Sequence, residues 1–170
     1  VASLPLIGAI LGDFVGGWTC DTIYKKTGNL NLARRSLIVI SFVGTVAFVI
    51  PSALVQSALL SEILTIGALF MLECAVSVCW AISMDLGGEH FSGSVSSVMN
   101  TGSGVASIIA PIIFPYMVQI TGSWFPGFAV GSVLLIIGAI TIFMVNARNT
   151  IDPYVADSSV EEPTLAVDTL

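Results

Sequence analysis

Charge is what this sequence has least of. Asp, Glu, Lys and Arg make up 9% of its 170 residues and apolar types 55%, whereas an average globular chain is about 25% charged. A water-soluble domain with so few charges could not cover its surface with polar groups, so the solvent for most of the chain is lipid. The mean hydropathy of +0.98 agrees. Bases are scarcest: Lys25, Lys26, Arg34, Arg35 and Arg148 all stand at the ends of apolar segments. That leaves no basic face to neutralise phosphates and excludes a nucleic-acid partner. Period-2 alternation is absent, which argues against a transmembrane barrel. No basic start or cleavage site marks a signal peptide. Residue 1 is Val in an already apolar stretch, so the sequence reads as a fragment beginning inside or just before a helix.

Chemistry-bearing clusters are also few. Cys20, Cys74 and Cys79 lack metal-ligand spacing and read as buried free thiols acting as small hydrophobes. Asp85, Glu89 and His90 lie close together, but His90 is the single histidine and no nucleophile or second ligand set accompanies it. A polar turn suffices there, so no metal, cofactor or enzymatic centre is expected.

What is present is length. A bilayer core about 30 Å thick takes about 20 apolar residues at 1.5 Å each. Five stretches qualify: about 2–20, 36–55, 63–84, 95–120 and 125–145. The expected fold is an all-α polytopic membrane protein, a bundle over 1–148 followed by a disordered acidic tail over 149–170. Lys25, Lys26, Arg34 and Arg35 crowd the first connection and place it in the cytoplasm. Alternation then puts Asp85–Ser94 and the tail on the same side, and Arg148 agrees.

The first connection reads Gly17-Trp-Thr-Cys-Asp21-Thr-Ile-Tyr-Lys25-Lys26-Thr-Gly-Asn-Leu30. It resembles the signature after the second helix of each half of the major facilitator superfamily. Gly17, Asp21, Lys25, Lys26 and Leu30 match in register, whereas Thr22 replaces the signature's Arg and Tyr24 its second Gly. An acid at a helix C-terminus opposes the dipole, so Asp21 needs a partner, which the resemblance puts in the other half of a carrier. Trp80-Ala-Ile-Ser-Met-Asp85, Gly93-Ser-Val-Ser-Ser-Val-Met99-Asn100, Ala110-Pro111-Ile and Gln119-Ile-Thr121-Gly122-Ser123 resemble the anion:cation symporter family of hexuronate, D-galactonate and sialin-like carriers. The resemblance implies helices 8–12 of a twelve-helix fold, with the N-terminal half and helix 7 missing. It implies symport of a small organic anion such as a sugar acid, coupled to a proton or sodium ion.

Glu73, Ser77 and Trp80 fall at i, i+4 and i+7 and share one helix face at bilayer depth. An acid there is costly unless it meets water or a partner. Trp80 offers an apolar plate with one N–H donor. The resemblance implies that Ser77 and Trp80 line the substrate cavity and that Asn100 faces them with amide donors and acceptor. Other roles stay open: Trp80 as an interface anchor, Ser77 bonded to its own turn, Asn100 as helix glue. Glu73, and more weakly Asp13, are candidates for a cavity or ion-coupling acid. A run of small residues, Gly93, Ser97, Thr101, Gly104 and Ser107 or Ile108, is expected to permit close helix approach, and Pro111 and Pro115 to kink the same helix. A membrane-embedded assembly subunit without transport, and a membrane enzyme, are the competing classes.

Overall fold

The computed structural model describes residues 4–147 and Ile151, and every regular element among them is helical. α1 spans Leu4–Thr27, α2 Leu30–Leu54, α3 Ala58–Thr121 and α4 Phe125–Thr141, the last running into a 3-10 turn at Ile142–Met144. By length and composition α2, α3 and the stretch Phe125–Met144 can each cross a membrane. α1 has the length, but Gly8, Gly12, Gly16, Gly17 and Asp13 dilute its apolarity. Arg148 and the tail expected from 149 onward lie outside the described residues, Ile151 excepted.

The first connection is shorter than expected. α1 continues to Thr27, and α2 begins at Leu30 rather than near 36, leaving Gly28 and Asn29 between them. Gly28 turns the chain at φ 64°, and Asn29 caps α2 by accepting the Leu32 N–H at 3.2 Å. The basic residues thus belong to two helix ends. Lys25 and Lys26 complement the C-terminal dipole of α1.

At 64 residues, a straight α3 would be about 96 Å long at 1.5 Å per residue. It breaks at Gly88, where φ 60° and ψ −159° define backbone essentially reserved for glycine. The chain folds back there. A Cβ on Gly87 would stand 2.3 Å from Ser92 Cα, and the Ser83 hydroxyl donates to Met99 Sδ at 3.0 Å. Residues 58–87 and 89–121 are therefore antiparallel arms of a hairpin. The polar loop expected over Asp85–Ser94 is helical but for this one glycine.

Side-chain contacts give the threading. α1 runs parallel to the first arm of α3, with Gly8 against Ile66, Gly12 against Phe70 and Gly16 against Cys74. α2 runs antiparallel to that arm, with Gly44 on Met71 and Phe48 on Gly67. α4 runs antiparallel to α2, with Gly138 on Phe42 and Asn146 beside Asn31. The second arm meets α4 where Phe114 covers Gly127 and packs edge-on to Phe128 at 5.3 Å. Beyond that contact an apolar groove of about 430 Å³ opens between Ile109, Ile113, Val130 and Leu134.

Small residues make up much of the interior: Cys20, Ala33, Ala68, Cys74, Ala75, Ala139 and Ala147 are buried, beside Leu37, Ile38, Val78 and Ile82. Phe14, Val98, Ile112 and Ile140 point outward. Lipid tails give large apolar side chains no reason to turn inward, so close backbone packing holds such helices together. Hydroxyls return to their own turns, as Thr45 to Ser41 O and Ser132 to Phe128 O, both at 2.8 Å. Among the described residues no buried side-chain polar atom lacks a partner.

Candidate functional site

The seam between α1 and the first arm of α3 is built on glycine at four-residue spacing. A Cβ on Gly12 would lie 2.2 Å from Phe70 O, and one on Gly16 2.6 Å from both Cys74 Cα and Ser77 Oγ. The Cys74 thiol closes the seam by donating to Gly12 O at 3.1 Å. Small residues were expected to act in this way in the fourth predicted helix. There, however, a Cβ on Gly93 or Gly104 would meet nothing within 4 Å, and Ser97, Thr101 and Ser107 are exposed.

Asp13 and Glu73 flank the glycine seam from its two helices. Asp13 is exposed and Glu73 half-buried. Ser77 is also half-buried. Its hydroxyl donates to Cys74 O at 3.1 Å, so it serves its own turn while packing on Gly16. Trp80 is 37% exposed and opens the face beyond the seam. Asn100 is exposed on the second arm. The Ser83–Met99 contact sets the register of the hairpin and brings Asn100 to within about 3 Å of the height of Trp80, at 1.5 Å per residue. The fold thus gathers Asp13, Glu73 and Ser77 along one seam, with Trp80 and Asn100 on facing arms at one level.

The signature residues sit at the far end of α1. Asp21, Lys25 and Lys26 are exposed, and Asp21 has no ion-pair partner among the described residues. Gly17 would tolerate a Cβ, with nothing within 4 Å. Thr22, in the place of the signature's Arg, bonds to Trp18 O at 2.8 Å.

Near them lies a polar cluster that inspection of the sequence did not pick out. The Arg34 Nε donates to Asp85 Oδ2 at 3.0 Å and its Nη1 to Cys20 Sγ at 3.3 Å, tying α2, α3 and α1 together. Arg35 donates through Nε to Val145 O at 2.9 Å and through Nη2 to the same oxygen. Asn31 donates to Asn146 Oδ1 at 2.6 Å and accepts the Ala147 N–H at 2.8 Å. Asp85 carried the available signal, an acid near a helix end opposite a pair of arginines.

No protein-family model matches the chain. It is similar to the probable sulfoacetate transporter SauU of Cupriavidus necator, with 35% identity over 150 residues, covering 88% of this chain and 35% of that protein. The probable galactarate/D-glucarate transporter GudP of Pseudomonas putida is 29% identical over 149 residues, covering 82% of this chain and 32% of its own length. A D-galactonate transporter of Escherichia coli is 22% identical over 144 residues, covering 85% and 33%. The chain spans about a third of the length of these curated relatives. Its kin are carriers of the major-facilitator type that move organic anions, and the resemblance read from residues 17–30 and 80–123 holds. They are named as transporters, not as enzymes.

Proposed function

We propose that this chain is the C-terminal portion of an ion-coupled symporter for a small organic anion, working by alternating access. α1, α2, the two arms of α3 and α4 then make five crossings, helices 8–12 of a twelve-helix carrier. The basic ends of α1 and α2 face the cytoplasm and the membrane is the plasma membrane. The absent N-terminal half supplies the cation for the substrate carboxylate, because this chain has no Lys or Arg at bilayer depth. The observation that carries the reading is the α3 hairpin, which sets Trp80 and Asn100 at one level beside a seam bearing Asp13 and Glu73. Trp80 covers an apolar face of the anion, Asn100 bonds its polar atoms, and Ser77 contributes at the edge. Glu73, with Asp13 as a second candidate, adjusts the charge of the chamber or takes the coupling proton or sodium ion. Gly17, Asp21, Lys25 and Lys26 form the cytoplasmic gate with the other half.

A sugar acid is the first substrate class. A small sulfonated acid is the second, favoured by two observations. The relative at 35% identity is named for sulfoacetate, and the Ser77 hydroxyl is already engaged by Cys74 O, which leaves fewer groups for a polyhydroxy chain. Uptake by the full-length carrier in proteoliposomes, with galactarate, glucuronate, galactonate and sulfoacetate offered under an imposed proton or sodium gradient, separates the two. Accumulation of any one of them supports symport. Gradient-independent equilibration refutes ion coupling, and no uptake of any refutes transport and favours an assembly role.

A further inference from the structure

A groove of about 460 Å³ opens at the start of α2, away from the seam. Asn29, Asn31, Leu32, Arg35 and Ser36 line it toward the start of α2, and Val39, Ile40 and Phe143 complete it. Arg35 and Ile40 are separated by about 7.5 Å along the helix axis, so the polar side chains gather toward the start of α2 and only apolar ones lie beyond Ser36. We propose that it seats one anionic glycerophospholipid, headgroup phosphate on Arg35 and one acyl chain along Val39, Ile40 and Phe143.

Three features carry this. Arg35 is held in place by two bonds to Val145 O. A guanidinium has five N–H donors, so three are left for an acceptor entering the groove, on a side chain whose freedom is already spent. Basic side chains gather nearby: Lys25 and Lys26 end α1, and Arg34 is balanced by Asp85. The apolar half is the third feature. A free phosphate would have no use for it, whereas a lipid at the membrane surface fills both halves. The inference rests on the membrane placement proposed above, but lipid retention is read without any transport assay. Failure here therefore leaves the carrier reading standing, and failure of transport leaves this one testable.

The test is native mass spectrometry of the full-length carrier from micelles carrying equal dioleoylphosphatidylglycerol and dioleoylphosphatidylcholine, with and without inorganic phosphate. One phosphatidylglycerol should be retained in preference to phosphatidylcholine by about fivefold or more, the value of one well-placed basic side chain at a membrane surface. Arg35→Gln should abolish the preference. Because Arg35 also holds Val145, Ser36→Asp supplies an independent change that repels the phosphate and spares that bond; it should abolish the preference too. Ile40→Trp should weaken retention by filling the acyl path. Equal retention of both lipids, or a preference that survives Ser36→Asp, overturns the proposal. So does displacement of the lipid by inorganic phosphate, which would mark a free-anion site. A preference that appears only after removal of the acidic segment beyond Ala147 overturns it as well, since that segment would be the native occupant.

Discussion

At Gly12 the backbone of α1 lies so near Phe70 O that a methyl group would overlap the carbonyl, at 2.2 Å. The neighbour is backbone, which cannot rotate aside. Gly12→Ala should therefore force α1 off α3 and cost about 1–3 kcal/mol, the usual penalty for overpacking. Gly17→Ala, with open space around it, should be neutral or slightly stabilising because alanine is the better helix former. Thermal unfolding of the two variants in one detergent checks the contrast. The ion pair is the second residue-scale prediction. Arg34 and Asp85 are largely shielded from water at 3.0 Å, so a double-mutant cycle with Arg34→Gln and Asp85→Asn should show a coupling of about 0.5–3 kcal/mol. Additive effects would mean that the pair is only a surface contact. Neither feature was singled out in the sequence, although Gly8, Gly12 and Gly16 recur every fourth residue there. Spacing shows that a helix face is small, but not which helix comes to it. That is why the equally small run from Gly93 to Ser107 looked like an interface and is open instead.

Hydrophobic length located the helices of this chain, and cap and break chemistry corrected their ends. The last helix occupies Phe125–Thr141 and runs into a 3-10 turn at Ile142–Met144. α2 began earlier than expected because Asn29 is a good N-cap that lets Arg34 and Arg35 ride on the helix. Polar composition suggested a loop over Asp85–Ser94, but a single glycine at a conformation closed to other residues reverses the chain. Gly88→Ala should cost about 1–3 kcal/mol and disturb the Ser83–Met99 register that levels Trp80 with Asn100. The expected outcome is a lower unfolding temperature together with weakened substrate binding by the full-length carrier. Gly93→Ala, on the open side of the second arm, should change neither.

For the molecule as a whole, composition alone announced a lipid-embedded helical chain, and the residues of two motifs announced its kin. Contacts between helices were not legible, because lipid removes the hydrophobic signal that marks a buried face in water. The candidate site was legible in part. The shared face of Glu73, Ser77 and Trp80 follows from helical period, whereas the level of Asn100 along the second arm depends on the turn at Gly88. The chain spans about a third of the length of these relatives; on the proposed function transport needs the complete carrier, and the 170 residues alone in proteoliposomes should give no uptake above empty vesicles. The most direct measurement is substrate binding by the full-length carrier bearing Trp80→Ala or Asn100→Ala, titrated calorimetrically with the anion it transports. Each variant should fold and bind about tenfold or more weakly, the equivalent of about 1.4 kcal/mol. Unchanged affinity in both would place these side chains outside the anion chamber and contradict the site.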